Sequence, residues 1–147
     1  MNWLTFFAIL NSLIFFVLGG IHFYWALGGK GGLEQAVPKA FTSRFTNEET
    51  KKTYSFVTFL VGLGLTSFGV ILLSNTPFLN AFDDLLPIKA LTITIAIVFL
   101  LRAVGDFRYV GFFSKDTDGV FVWWDQRLYS PLCLYLGTTS LLIGIMG

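Results

Sequence analysis

From Trp3 to Leu27 the chain reads WLTFFAILNSLIFFVLGGIHFYWAL, a run without one charged side chain. A helix rises about 1.5 Å per residue and the hydrocarbon core of a bilayer is about 30 Å thick, so about 20 apolar residues suffice to cross it. This run is long enough, and Asn11, Ser12 and His22 are its only strongly polar members. It reads as a retained span rather than a cleaved signal peptide, because Met1-Asn2-Trp3 supplies no basic n-region and the apolar run is too long.

Three further stretches match it. Ser55 to Leu73 is apolar and rich in Gly and Thr, with Asn75 and Pro77 as stop signals behind it; capping-box spacing at Thr46 and Glu49 ahead of it predicts that the helix begins in water near Asn47 and then enters the bilayer. Leu85 to Leu101 has Asp83 or Asp84 placed as N-cap, Pro87 in the first turn, and Lys89 able to snorkel outward. Leu128 to Met146 carries Pro131 near its start, where a missing amide proton costs little. The expected fold is an all-α integral membrane protein, one four-transmembrane-helix bundle over residues 1–147 with spans at about 3–27, 55–73, 85–101 and 128–146.

Composition agrees. Of 147 residues, 54% are hydrophobic and 13% charged, so a soluble domain of this size could not hide the apolar surface. The net charge of +1 excludes a nucleic-acid partner, since phosphate binding needs clustered cations. The lipid bilayer is the expected partner instead. One cysteine, Cys133, allows neither an intramolecular disulfide nor a multi-thiolate metal site, so no metal is expected.

Orientation follows from the basic residues, because short loops rich in Lys and Arg stay in the cytoplasm. The connection from Gly28 to Tyr54 holds Lys30, Lys39, Arg44, Lys51 and Lys52, and that from Arg102 to Arg127 holds Arg102, Arg108, Lys115 and Arg127. These are nine of the ten basic residues, which places both long connections inside and both termini outside. Gly119 to Trp124 is aromatic enough to lie in the interface.

Lipid tails give helices no hydrophobic reason to associate, so small residues must let the backbones approach. Ala8, Ser12, Gly19, His22 and Ala26 share one face; so do Gly62, Thr66 and Gly69, and Cys133, Gly137, Ser140 and Gly144. These stripes predict close packing inside and phenylalanines turned outward to lipid.

A few polar residues need a reason. His22 lies on the small-residue face about 7 to 8 Å below the cytoplasmic boundary, either as a neutral interhelical hydrogen-bonding group or as a functional ionisable residue. Asn11, on the same face, is expected to bond a neighbouring helix. Arg102 and Asp106 stand four apart and can pair, but an acid at a helix C-terminus opposes the dipole, so Asp106 needs a further partner among His22, Arg108, Tyr109 and Arg127. Asp125 precedes the last span, where it serves as a cap or dipole partner or joins the polar cluster. Lys30, among Gly28, Gly29, Gly31 and Gly32, gives only a weak phosphate-loop signal, because no strand precedes it and the Walker spacing is absent. Under the expected topology His22, Arg102, Asp106 and Asp125 converge at the cytoplasmic end, with Trp25 and Tyr129 walling the site.

Three blocks in order carry a resemblance: Gly20-Ile21-His22-Phe23-Tyr24-Trp25-Ala26-Leu27-Gly28-Gly29, then Arg102-Ala103-Val104-Gly105-Asp106-Phe107-Arg108-Tyr109-Val110-Gly111, then Asp125 with Tyr129-Ser130-Pro131-Leu132-Cys133. With them the chain resembles, over nearly its whole length, the bacterial membrane family called domain of unknown function 3995. The resemblance implies a multi-pass protein of a bacterial cell membrane with four spans, and it picks out His22, Trp25, Arg102, Asp106, Asp125 and Tyr129. No activity or cofactor comes with it. Three functions stay open: binding or moving a small molecule, a lipid headgroup or a proton; a membrane enzyme using His22 with a carboxylate, for which no nucleophile or cofactor motif is evident; or an accessory subunit whose polar cluster fixes helix packing. No internal repeat is visible, so inverted-repeat symmetry would have to come from a homodimer.

Overall fold

A computed structural model describes residues 2–38, 48–79, 87–107, 109–115 and 119–147. Among these residues the chain is helical, without strands. Helix α1 runs Trp3–Ala26, opened by Asn2, whose side chain accepts from the Thr5 amide at 2.8 Å. A single turn, α2, covers Leu33–Ala36. Helix α3 covers Glu48–Ser74 and α4 covers Ile88–Val104. The last helix, α5, is continuous over Val120–Met146 and contains one π-helical turn, Asp125–Tyr129.

Three of these helices, α1, α3 and α5, are long and apolar enough to cross a membrane. One runs further than the sequence implied. Helix α3 starts at Glu48, beside the start in water expected near Asn47, whereas α5 starts at Val120 rather than Leu128. The aromatic segment expected in the interface, Gly119 to Trp124, thus becomes the first turn of α5. Helix α4 begins at Ile88 with Pro87 just ahead of it and ends three residues beyond Leu101. Proline lacks an amide proton and fixes its own φ, so it suits the position before the helix. The caps expected at Thr46, Asp83 and Asp84 lie outside the described residues.

Packing follows the small residues. Helix α1 lies against α3, and α4 against α5, with α1 also touching α5 and α3 touching α4. A Cβ built on Gly19 would come 2.5 Å from Thr66 Oγ1, and one on Gly62 would come 3.2 Å from the Gly19 carbonyl, so the two backbones touch where side chains are missing. Gly137 takes Leu100 and Gly144 takes Ile93 in the same way across α4 and α5. Ser12 Oγ donates to the Gly69 carbonyl at 2.8 Å, and Asn11 Nδ2 donates to Thr139 Oγ1 at 2.8 Å, the interhelical bond expected of Asn11.

The outward placement of phenylalanine holds for Phe6, Phe56 and Phe59 but not for the centre. Phe15 is fully buried, and its ring meets Phe99 at 5.0 Å and Phe68 at 5.9 Å, both edge-on. Three helices therefore share one aromatic contact, because bulky rings fill the space that the glycine contacts elsewhere close off.

Candidate functional site

Helix α4 stops at Val104 because Gly105 turns into the left-handed region, with φ +90°. The chain then makes a small closed loop to Gly111, at φ +92°, and its two glycines abut: a Cβ on Gly105 would overlap the Val110 carbonyl, and one on Gly111 would overlap Gly105. Asp106 organises the inside of this loop. Its Oδ1 accepts from the amides of Tyr109 at 2.7 Å and Val110 at 3.0 Å. The i,i+4 pair expected between Arg102 and Asp106 does not form, since the helix that would align them has ended.

Arg102 reaches across to α5 instead. Its Nη2 donates to Asp125 Oδ1 at 2.7 Å. The other oxygen, Oδ2, accepts from the Gly111 amide at 2.7 Å and from Ser130 Oγ at 3.3 Å. Asp125 is 1% exposed, so this carboxylate is a buried charge held by a cation, a backbone amide and a hydroxyl. It fastens the last turn of α4, the closed loop and the start of α5 together. Asp125 is thus no helix cap: it sits inside α5, on the π turn.

That turn has a local cause. Pro131 cannot donate to a carbonyl one turn back, and its ring would collide with that carbonyl in a regular helix. Widening the turn just before it, at Asp125–Tyr129, moves the carbonyls out of register, and the Ser130 amide bonds the Asp125 carbonyl five residues back. The same widening swings Asp125 and Ser130 onto one side.

The remaining expected site residues lie at the same end of the helices but are held differently. His22 Nδ1 lies 2.7 Å from the Leu18 carbonyl. A carbonyl only accepts, so Nδ1 carries the proton of this hydrogen bond. Trp25 meets the His22 ring edge-on at 5.2 Å, and its Nε1 donates to the Gly31 carbonyl at 2.7 Å. No hydrogen bond or ion pair among the described residues joins His22 to Arg102, Asp106 or Asp125, so a histidine–carboxylate couple is not formed. Tyr129 closes the π turn, with its ring 6.3 Å from Phe121. Arg108, the other suggested partner for Asp106, lies outside the described residues.

The glycine-rich loop is committed to its own fold. The amides of Gly28, Gly29 and Gly31 donate to the Trp25 carbonyl, the Tyr24 carbonyl and the Tyr24 hydroxyl, which leaves too few to wrap a phosphate. Through this loop α2 reaches over to the first turn of α5.

One guanidinium nitrogen is left over. Arg102 Nη1 is buried and has no hydrogen-bond partner, although about a third of the side chain, 32%, is exposed. A cavity of about 910 Å³ lies elsewhere, at the opposite end of the helices, between Asn2, Thr5, Asn75, Ile88, Lys89 and Gly147. It shares no residue with the clamp. No group of three or more metal-ligating side chains is assembled among the described residues.

Sequence reasoning missed three parts of the clamp. Gly105 and Gly111 shape it through their backbones, and Ser130 joins only because the π turn changes the angular spacing along α5. The paired glycines flanking Asp106 were the one available signal.

Neither a curated protein nor a solved structure is significantly similar to the chain. A family model described as a protein of unknown function, DUF3995, matches residues 15–140, a span that holds all three sequence blocks and every residue of the clamp. The chain belongs to the DUF3995 family.

Proposed function

We propose that this chain is a four-span integral membrane protein of the bacterial cell membrane, with both termini outside, which binds a small molecule or a lipid headgroup beside the Arg102–Asp125 clamp on its cytoplasmic side. Three helices of spanning length and composition support the first part. Helix α4, at 17 residues, rises about 25 Å, and Lys89 and Arg102 near its ends can reach the two interfaces. The orientation rests on the nine basic residues of the two long connections. Cysteine labelling that placed Asn75 in the cytoplasm would overturn it.

The binding reading is carried by Arg102 Nη1. A buried guanidinium N–H without an acceptor is costly, and the planar fork suits a carboxylate or phosphate oxygen. Asp125 does not serve it: its Oδ1 takes Nη2, and its Oδ2 takes the Gly111 amide and the Ser130 hydroxyl. The test is native mass spectrometry of the protein extracted in detergent, wild type beside Arg102→Lys, which keeps a cation for Asp125 and removes the fork. The expected result is a bound mass on the wild type that the variant loses.

The three donors already on Asp125 favour a second reading, an accessory subunit in which the clamp only fixes packing. Under it neither protein carries a bound mass, and Arg102→Lys changes thermal stability alone.

A further inference from the structure

Phe107 is the one residue other than glycine with positive φ among the described residues, at 60°. A bulky aromatic is strained there, where glycine or asparagine would be at ease. The loop around it is tightly specified by the Gly105–Gly111 contact, the Asp106 turn and the Phe112 amide, which donates to the Ala103 carbonyl at 2.9 Å. So the backbone holds Phe107 in this pose rather than letting it turn inward. The ring is only partly covered by the protein. It is 56% exposed and meets the ring of Phe113, itself 62% exposed, at 6.2 Å.

We infer that Phe107 and Phe113 form an aromatic wedge that inserts into the headgroup–acyl boundary of the bilayer at the end of α4. Leu101 and Val104, in the last turns of α4, are also exposed, so that end of the helix presents apolar side chains beside the loop. Aromatic side chains favour that boundary, and burying two rings in lipid offsets the strained φ. The wedge sits on the loop whose Gly111 amide holds Asp125, so lipid contact would fix the depth of the clamp in the membrane. The inference rests on reading the chain as membrane-spanning, and its test separates the two.

Nitroxide labels are placed one at a time by Phe107→Cys, Phe113→Cys, Leu101→Cys and Lys115→Cys, each in a Cys133→Ser background, and the protein is reconstituted in vesicles of phosphatidylethanolamine and phosphatidylglycerol. Collisions with oxygen report lipid, and collisions with a nickel chelate report water. Labels at 107, 113 and 101 should lose nickel collisions relative to the label at 115. Nickel reaching both 107 and 113 while 101 stays in lipid overturns the wedge and leaves the spanning reading intact. Nickel reaching 101 as well overturns the spanning reading. Spin–spin broadening at 107 or 113 with neither reagent reaching the label would mean that a second copy covers the rings, and that too overturns the wedge.

Discussion

The Arg102–Asp125 pair should lose stability asymmetrically. Arg102→Ala leaves the Asp125 carboxylate, whose side chain is 2% exposed, with two neutral donors. Removing one partner of a buried ion pair costs about 3–5 kcal/mol, and the two remaining donors keep this near the lower end, about 3 kcal/mol. Asp125→Ala is milder. The Arg102 side chain is about a third exposed, 32%, which moderates the cost of leaving it unpaired, so the loss is mainly the orphaned Gly111 amide, about 2 kcal/mol. The double variant should cost about what Asp125→Ala does alone, a coupling of about 3 kcal/mol. With an unfolding entropy of about 2.1 cal/mol/K per residue, the single variants lower the thermal midpoint by about 10 °C and about 6 °C. The intrinsic fluorescence of Trp123 and Trp124, immediately before Asp125, provides the melting curve in detergent. If the double variant fell by the sum of the two, the residues would act independently and the clamp would not exist as described.

Gly105→Ala should cost more than about 3 kcal/mol and prevent accumulation of folded protein, because a Cβ there meets the Val110 carbonyl at φ +90°. Gly20→Ala, with nothing within 4 Å of its Cβ, should stay within about 0.5 kcal/mol; elution of both from a size-exclusion column decides this. Gly69→Leu and Gly144→Leu should each lower the thermal midpoint by several degrees, since even a Cβ comes 2.7 Å from Phe16 and from Ile93. Phe56→Leu, at a site 63% exposed, should not, and equal midpoints for all three would remove the packing argument.

Helix existence was legible because a run such as Trp3 to Leu27 leaves no alternative, and the glycine contacts were legible because in lipid only small residues let backbones meet. Helix limits were less so. Polar residues ahead of Leu128 looked like loop, yet the last helix runs through them, with its first turn against α2. The fate of the acids shows a deeper limit. Spacing tied Arg102 to Asp106, four residues away, whereas only the expected convergence of the polar cluster brought it to Asp125, twenty-three residues on. Local periodicity holds only while a helix lasts, and Gly105 ends it. Phe15 was assigned to lipid for a similar reason: composition cannot tell a core ring from a lipid-facing one when both surroundings are apolar.

The placement of polar bonds bears on how the two helix pairs stay together. Glycine contacts hold α1 to α3 and α4 to α5, but between the pairs the specific links are few. Asn11 reaches Thr139, and Asn75 Nδ2 reaches Thr92 Oγ1 at 2.9 Å, with the Phe15, Phe68 and Phe99 rings between. Both asparagines lie away from the Arg102 end, where the clamp works wholly within the α4–α5 pair. Nothing polar among the described residues ties His22 on α1 to that clamp. Among the described residues the Arg102 end is therefore joined chiefly where α2 meets the first turn of α5.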